Sequence, residues 1–213
     1  MQDSKNLVIY FSQSGNTEKF ANIIHEQVGG DIKKIETVKA YPEVYDDLAN
    51  VAKTEKDENA RPEYKNLNID LENYDNFFVG YPMWWYTLPM VMYKFFEDYD
   101  FSGKTIIPFN THEGSYDGGT WDTIKSWEPN AKVLDGLAIR GGDIGDGPNA
   151  NPTDQTENVK NWLNEIGFWK GDNMESIKLN NGVEMPTVGI GVFTFTPDEA
   201  ESSPQNSHGI STG

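Results

Sequence analysis

Apolar positions along the chain switch between two periods. Leu7, Val8, Ile9, Tyr10 and Phe11 form an unbroken β-rich run; Phe20, Ile23, Ile24 and Val28 then recur at helical spacing, and Gly29 and Gly30 stop that helix. Residues 31–38 alternate as a second strand would. Val44, Leu48, Val51 and Ala52 mark a second helix, and the polar stretch 53–68 reads as a surface connection. Residues 76–79 make a third strand. Pro89 sits where a first helical turn tolerates proline, ahead of the stripe Leu88, Val91, Met92, Phe95 and Phe96. A fourth strand follows over 105–109, a short helix around Trp121 and Ile124, and a fifth strand over 133–139. The last helix starts near residue 153, carries Val159, Trp162, Leu163 and Ile166 inward, and stops at Gly167. This alternation predicts an α/β fold: a doubly wound, five-stranded parallel sheet with helices on both faces.

In such sheets ligands sit outside the carboxyl ends of the strands. Three loops leave those ends with unusual chemistry. The first, Ser12, Gln13, Ser14, Gly15, Asn16 and Thr17, brings hydroxyls, backbone N–H groups and a helix N-terminus to one point, which suits a phosphate. Its structural alternative is an ordinary turn with Ser14 or Asn16 as helix cap. The loop holds no Lys or Arg, and no G-x-x-x-x-G-K-[ST] match exists in the chain, so the expected guest is a phosphate monoester and not a magnesium triphosphate. The second loop runs Gly80, Tyr81, Pro82, Met83, Trp84, Trp85, Tyr86 and Thr87; the third covers Asn110, Thr111, His112, Glu113, Gly114 and Ser115 and continues to Gly119. A nest, an aromatic wall and a glycine-rich rim together fit a phosphorylated ligand with a large flat ring.

Composition narrows the field. A formal charge of −17 opposes nucleic acid and anionic membrane surfaces, and fits either a solvated acidic surface or an electron carrier that docks on basic partners. Without cysteine there are no disulfides, thiolate metal sites or thiol nucleophiles. No signal-peptide layout or bilayer-length apolar run is present, so a cytoplasmic protein is expected.

The motifs Ser-x-Ser-Gly-Asn-Thr at 12–17, Gly-Tyr-Pro-Met-Trp-Trp at 80–85 and Pro-Phe-Asn-Thr-His-Glu-Gly-Ser at 108–115 resemble the flavodoxin family, in its branch with a Pro-x-Trp-Trp loop. The resemblance covers residues 5–168. It implies strand order 2-1-3-4-5 and a bound flavin mononucleotide (FMN) used for electron transfer. By that resemblance Ser12, Ser14, Gly15, Asn16 and Thr17 hold the phosphate. Pro82, Met83, Trp84 and Trp85 line the isoalloxazine, and Thr111, His112, Glu113, Gly114 and Ser115 form the other wall. The extra loop of long-chain flavodoxins has no counterpart here, so the short form is the better match.

Each site residue has an alternative. Adjacent tryptophans on an extended loop point opposite ways, so one packs inward while the other faces the ring. Met83 offers a sulfur–aromatic contact or simply fills a gap. His112 either bonds a flavin carbonyl or relays a proton, or else is a rim residue bonded to its own loop. Glu113 reads as a solvated charge near the ring, not a general base. The stretch Gly145, Asp146, Gly147, Pro148, Asn149 and Ala150 formally matches a dinucleotide motif, but Pro148 interrupts it, and Asp143 and Asp146 repel a pyrophosphate. It reads as a surface loop.

After Trp169 the pattern changes, which sets residues 1–170 apart from an extension over 171–213. Residues 176–186 read as two short strands around an Asn-Gly turn. Residues 176–201 resemble the opening of an aldo-keto reductase, without that family's catalytic or nicotinamide-binding positions. The extension is expected to be a truncated remnant, partly disordered and without activity.

The functional expectation is an FMN-binding electron carrier with no catalytic residue or metal of its own. Its partners are redox proteins with basic docking surfaces, and exposed aromatics near Trp85 and Tyr86 leave a homodimer open. The alternative is an FMN-dependent NAD(P)H:quinone or nitro-compound oxidoreductase. A phospho-accepting receiver domain shares the architecture, but Ser12, Gln13, Gly80 and Tyr81 stand where it needs acids.

Overall fold

The computed structural model describes residues 5–168, 176–178 and 184–186. The chain divides into two compact units, residues 1–170 and 171–213. The first is a parallel sheet of β1 (Asn6–Phe11), β2 (Asp31–Ile35), β3 (Asn76–Pro82), β4 (Thr105–His112), β5 (Lys132–Val133) and β6 (Leu137–Arg140). Its order is β2-β1-β3-β4-β5, with β6 also paired to β4. The connecting helices are α1 (Asn16–Val28), α2 (Tyr45–Asp57), α3 (Met90–Asp98), α4 (Thr120–Trp127), the single turn α5 (Gly141–Ile144) and α6 (Thr156–Glu165).

Successive strand residues face opposite sides, so unbroken apolar runs feed two cores. Leu7, Ile9, Phe11, Phe77, Val79 and Tyr81 pack with Val91 and Phe95 of α3. Val8, Tyr10, Phe78, Ile107 and Phe109 pack with Phe20 and Ile24 of α1 and Trp162 and Leu163 of α6. At roughly 1.5–3 kcal/mol for each large apolar side chain withdrawn from water, these two layers dominate the stabilisation.

Five elements depart from the sequence pattern. The second helix continues through Lys53 to Asp57, inside the stretch expected to be a connection. Its buried contribution is small: only Ala52 is fully covered, so polar residues tolerate the helix on its outer face. The second strand ends at Ile35, and Thr37 forms a separate bridge to Tyr64. Both β3 and β4 run three residues past the apolar run, to Pro82 and His112. Finally, the fifth strand is two segments. Val133 pairs with Ile106 and Leu137 with Phe109, so the offset grows by one residue between them, as in a bulge. The break falls beside Pro108, which has no N–H to give the neighbouring strand.

In the second unit, β7 (Ser176–Lys178) pairs antiparallel with β8 (Glu184–Pro186), in the register Ser176↔Pro186, Ile177↔Met185 and Lys178↔Glu184. The Asn-Gly turn expected between them lies outside the described residues.

Candidate functional site

At the carboxyl end of β1 the chain turns into α1 through Gly15, whose φ of 95° serves as the helix cap. Neither Ser14 nor Asn16 caps by side chain. Instead Ser12 Oγ accepts the N–H groups of Gly15 and Glu18, each at 3.2 Å. That leaves the backbone N–H groups of Ser14, Asn16 and Thr17 without a hydrogen-bond partner among the described residues. Three free amides at the N-terminus of a 13-residue helix form a concave donor array with a positive dipole end. Asn16 itself is occupied differently from the expectation. Its Nδ2 donates to Asp146 O at 2.6 Å and its Oδ1 accepts from Asp146 N at 2.9 Å, so the side chain pins the loop after α5 while its amide stays free.

Thr17 and Thr111 bring the first and third loops together: their hydroxyls are 2.8 Å apart and buried. Thr111 and His112 belong to β4 and not to a loop, because Asn110, Thr111 and His112 pair with Ala138, Ile139 and Arg140 of β6, while Tyr81 and Pro82 flank them on the other side. Thr111 O also accepts from Met83 N at 2.8 Å, tying the second loop to the third. Behind this layer Asn110 is fully buried. Its Nδ2 donates to Tyr116 O at 2.9 Å and its Oδ1 accepts from Trp121 Nε1 at 3.3 Å. Tyr81 and Thr120 share a buried hydroxyl contact of 2.7 Å. Thr120 was not singled out by sequence, and Asn110 was read only as the start of the third loop; a polar side chain inside an otherwise apolar strand is the signal that marks its buried role.

The two tryptophans do separate, as their adjacency implied. Trp84 packs edge-on against Phe11 at 5.3 Å and Tyr41 at 5.0 Å. Trp85 leaves the wall: its Nε1 donates to Ala49 O of α2 at 2.9 Å, with Lys53 Nζ 5.7 Å above its ring and Lys56 Nζ bonded to its carbonyl at 2.8 Å. The loop is not extended. Trp84 and Thr87 exchange backbone hydrogen bonds of 3.0 and 3.1 Å around Trp85 and Tyr86, both left-handed, which makes a type I′ turn. Met83 reaches toward Gly118 and toward Thr120, whose hydroxyl lies 4.0 Å from its sulfur.

On the opposite rim His112 is 7% exposed and tilts over Tyr116, with ring centroids 5.0 Å apart. Gly114 N–H donates to His112 Nδ1 at 2.9 Å. Burial holds the imidazole pKa below its ordinary value. Glu113 is not a lone solvated charge: its Oε2 lies 3.6 Å from Arg140 Nε, and Arg140 also donates to Pro148 O. Ser115 O accepts from Gly118 N at 3.0 Å. The glycine-rich segment rejected as a dinucleotide motif thus has a packing role. A Cβ at Gly145 would strike Asn16 Oδ1, and one at Gly141 or Gly147 would strike Glu113 Oε1. Among the described residues no group of His, Asp or Glu is arranged to hold a metal, and no helix is long and apolar enough to cross a membrane.

A parallel sheet of this order, with a cation-free donor cradle after β1 and aromatic loops after β3 and β4, defines a flavodoxin-like α/β protein. The flavodoxin family model matches residues 5–166, and the chain belongs to the flavodoxin family. Among solved structures, a protein from Bacteroides eggerthii described as a flavoprotein is 29% identical, with a TM-score of 0.66 over 78% of this chain and 99% of that one. One from Bacteroides uniformis, described likewise, is 28% identical at a TM-score of 0.64, covering 76% and 98%. A Lactobacillus acidophilus flavoprotein in complex with FMN shares the fold at 22% identity and a TM-score of 0.57, covering 66% and 95%. No curated protein matches the chain.

Proposed function

We propose that this protein binds FMN and passes electrons through it, as a carrier between redox proteins. FMN is the cofactor of this reading. One observation carries it: three amides, of Ser14, Asn16 and Thr17, lack partners among the described residues at the N-terminus of α1, in a loop with no cation. Such a donor set matches a phosphate dianion, because oriented N–H groups stabilise it without a Lys or Arg. The Thr17–Thr111 contact sets hydroxyls beside it, and Ser14, exposed, adds another.

The ring of the flavin would lie between the second and third loops. Pro82, Met83 and Trp84 supply one side, and Thr111, His112, Glu113, Gly114 and Ser115 the other. Trp85, held on α2 by its ring and its carbonyl, is not assigned to this wall. The flavin supplies the electron chemistry; the protein contributes position and electrostatics. The family's Pro-x-Trp-Trp branch suits residues 82–85, and the aldo-keto reductase likeness of 176–201 adds no activity.

A carrier is favoured over an NAD(P)H-dependent quinone or nitro-compound reductase by the charge of −17, which repels anionic dinucleotides and attracts partners with basic surfaces. Calorimetry of the apoprotein tests the cofactor. FMN should bind one-to-one and at least about a thousandfold more tightly than riboflavin, given three hydrogen bonds to a charged group at about 1.5–3 kcal/mol each. Equal affinity for the two ligands overturns the phosphate cradle. Rapid NAD(P)H oxidation by the FMN-loaded protein with a quinone alone overturns the carrier and favours the reductase.

A further inference from the structure

His112 closes β4 at the rim, opposite Arg140 in the register of β6. The next two residues turn so sharply that Gly114, at a φ of 121°, brings its N–H back onto Nδ1 of the same imidazole. A side chain at 114 would resist that backbone, so the closure depends on glycine. With Nδ1 accepting, the neutral ring must carry its proton on Nε2. Nε2 has no partner among the described residues, and no buried side-chain nitrogen or oxygen there lacks one. The Nε2–H is therefore open to solvent and to whatever fills the site.

We propose that His112 is a fixed neutral donor, which offers Nε2–H to an acceptor atom of the bound flavin and transfers no proton during the redox cycle. The acceptor rests on the FMN reading; the tautomer does not. A second ring proton would have to enter at Nδ1. It would break the Gly114 bond and leave two N–H groups facing each other. The charged groups around the ring pull both ways. Asp143 of α5 and Asp117 of the third loop favour the imidazolium, whereas Arg140 of β6 opposes it, with its own charge offset by Glu113. Burial is the largest influence and also opposes it. The site therefore excludes the proton relay that a rim histidine suggests from sequence.

Nitrogen-15 spectra of the histidine rings across a pH series test this on the apoprotein, with His112→Gln identifying the resonance among the three histidines. The expected pattern is Nε2 protonated, Nδ1 bare, and a midpoint below the usual value near 6.5. A proton on Nδ1, or a midpoint at or above that value, overturns the proposal. Gly114→Ala should raise the midpoint; if the variant folds and the midpoint does not move, the clamp is wrong. For the donor role, His112→Ala should weaken FMN binding about three- to tenfold, the worth of one hydrogen bond. His112→Gln, whose amide can stand near Nε2, should recover most of that loss. Equal affinity of His112→Ala and wild type removes the donor role, as does His112→Gln binding no better than His112→Ala. The pH slope of the flavin potential should be the same in wild type and His112→Gln, whereas a relay would change it. If wild type binds no FMN, the cofactor reading and the donor role fail together while the ring spectra still decide the tautomer.

Discussion

Among the described residues, six other than glycine adopt positive φ: Asn59, Asn68, Asn149, Trp85, Tyr86 and Tyr116. Asparagine tolerates that region by bonding its own backbone; aromatic residues do not. All three aromatic cases stand on the loops after β3 and β4, and Tyr86 and Tyr116 are 75% and 68% exposed. The strain is concentrated at the rim of the site, where backbone conformation serves presentation and not stability. Tyr86→Gly should therefore raise the midpoint of urea unfolding, corresponding to a gain in unfolding free energy of up to about 1 kcal/mol after the entropic cost of glycine is subtracted. A lowered midpoint would show that the turn is not strained. Asn16 supplies the complementary case. Its two bonds to Asp146 join α1 to the loop after α5, so Asn16→Ala should destabilise the fold by about 1–3 kcal/mol, visible in the same experiment. These details were beyond reach of the sequence, because Asn16 and Asp146 are 130 residues apart and only the fold joins them.

At the scale of elements, the alternation of strand and helix was readable because each buried strand shows a continuous apolar run and each helix a stripe. The ends were not. β4 continues through Asn110, Thr111 and His112 since neighbours on both sides take up their backbone groups, and apolar pattern carries no record of pairing. For the same reason the bulge between β5 and β6 was hidden within one apparent strand. The candidate site was legible as three loops because hydroxyls, amides, aromatics and glycines collect just past the predicted strand ends. The destinations of Trp84 and Trp85 were open until α2 offered Ala49 O as a partner. One glycine inside a strand follows from packing alone. A Cβ at Gly80 would come within 2.2 Å of the Phe109 ring, which already lies 5.0 Å from Phe20. Gly80→Ala should therefore cost about 1–3 kcal/mol by overpacking, read as a fall in the thermal midpoint; a neutral result would mean that Phe109 has room to move.

For the whole molecule, charge and proton linkage set the conditions of work. The free His112 imidazole in an unfolded chain binds a proton near pH 6.5, whereas burial in the folded protein lowers its affinity. Its contribution to stability is thus complete above 6.5 and is lost as pH falls toward the folded value. Glu18, held low by Lys34 at 2.6 Å, acts in the same direction below its ordinary carboxyl range, but the pair is half open to solvent and adds little. Unfolding midpoints should decline from pH 7 toward 5, and His112→Gln should flatten the upper part of that decline. An unchanged slope would contradict the burial of a neutral ring. At a charge of −17, association with a basic partner should slow steeply with added salt, since screening at about 0.1 M reaches a length of about 10 Å.

Phosphate recognition by this protein rests on the unpaired amides at the first turn of α1. Their backbone resonances, followed by amide NMR while FMN is added to the apoprotein, test it most directly. Ser14, Asn16 and Thr17 should show the largest shifts, with a second group over residues 111–115 and a third at 82–84. Saturating FMN that leaves Ser14, Asn16 and Thr17 unmoved would contradict it.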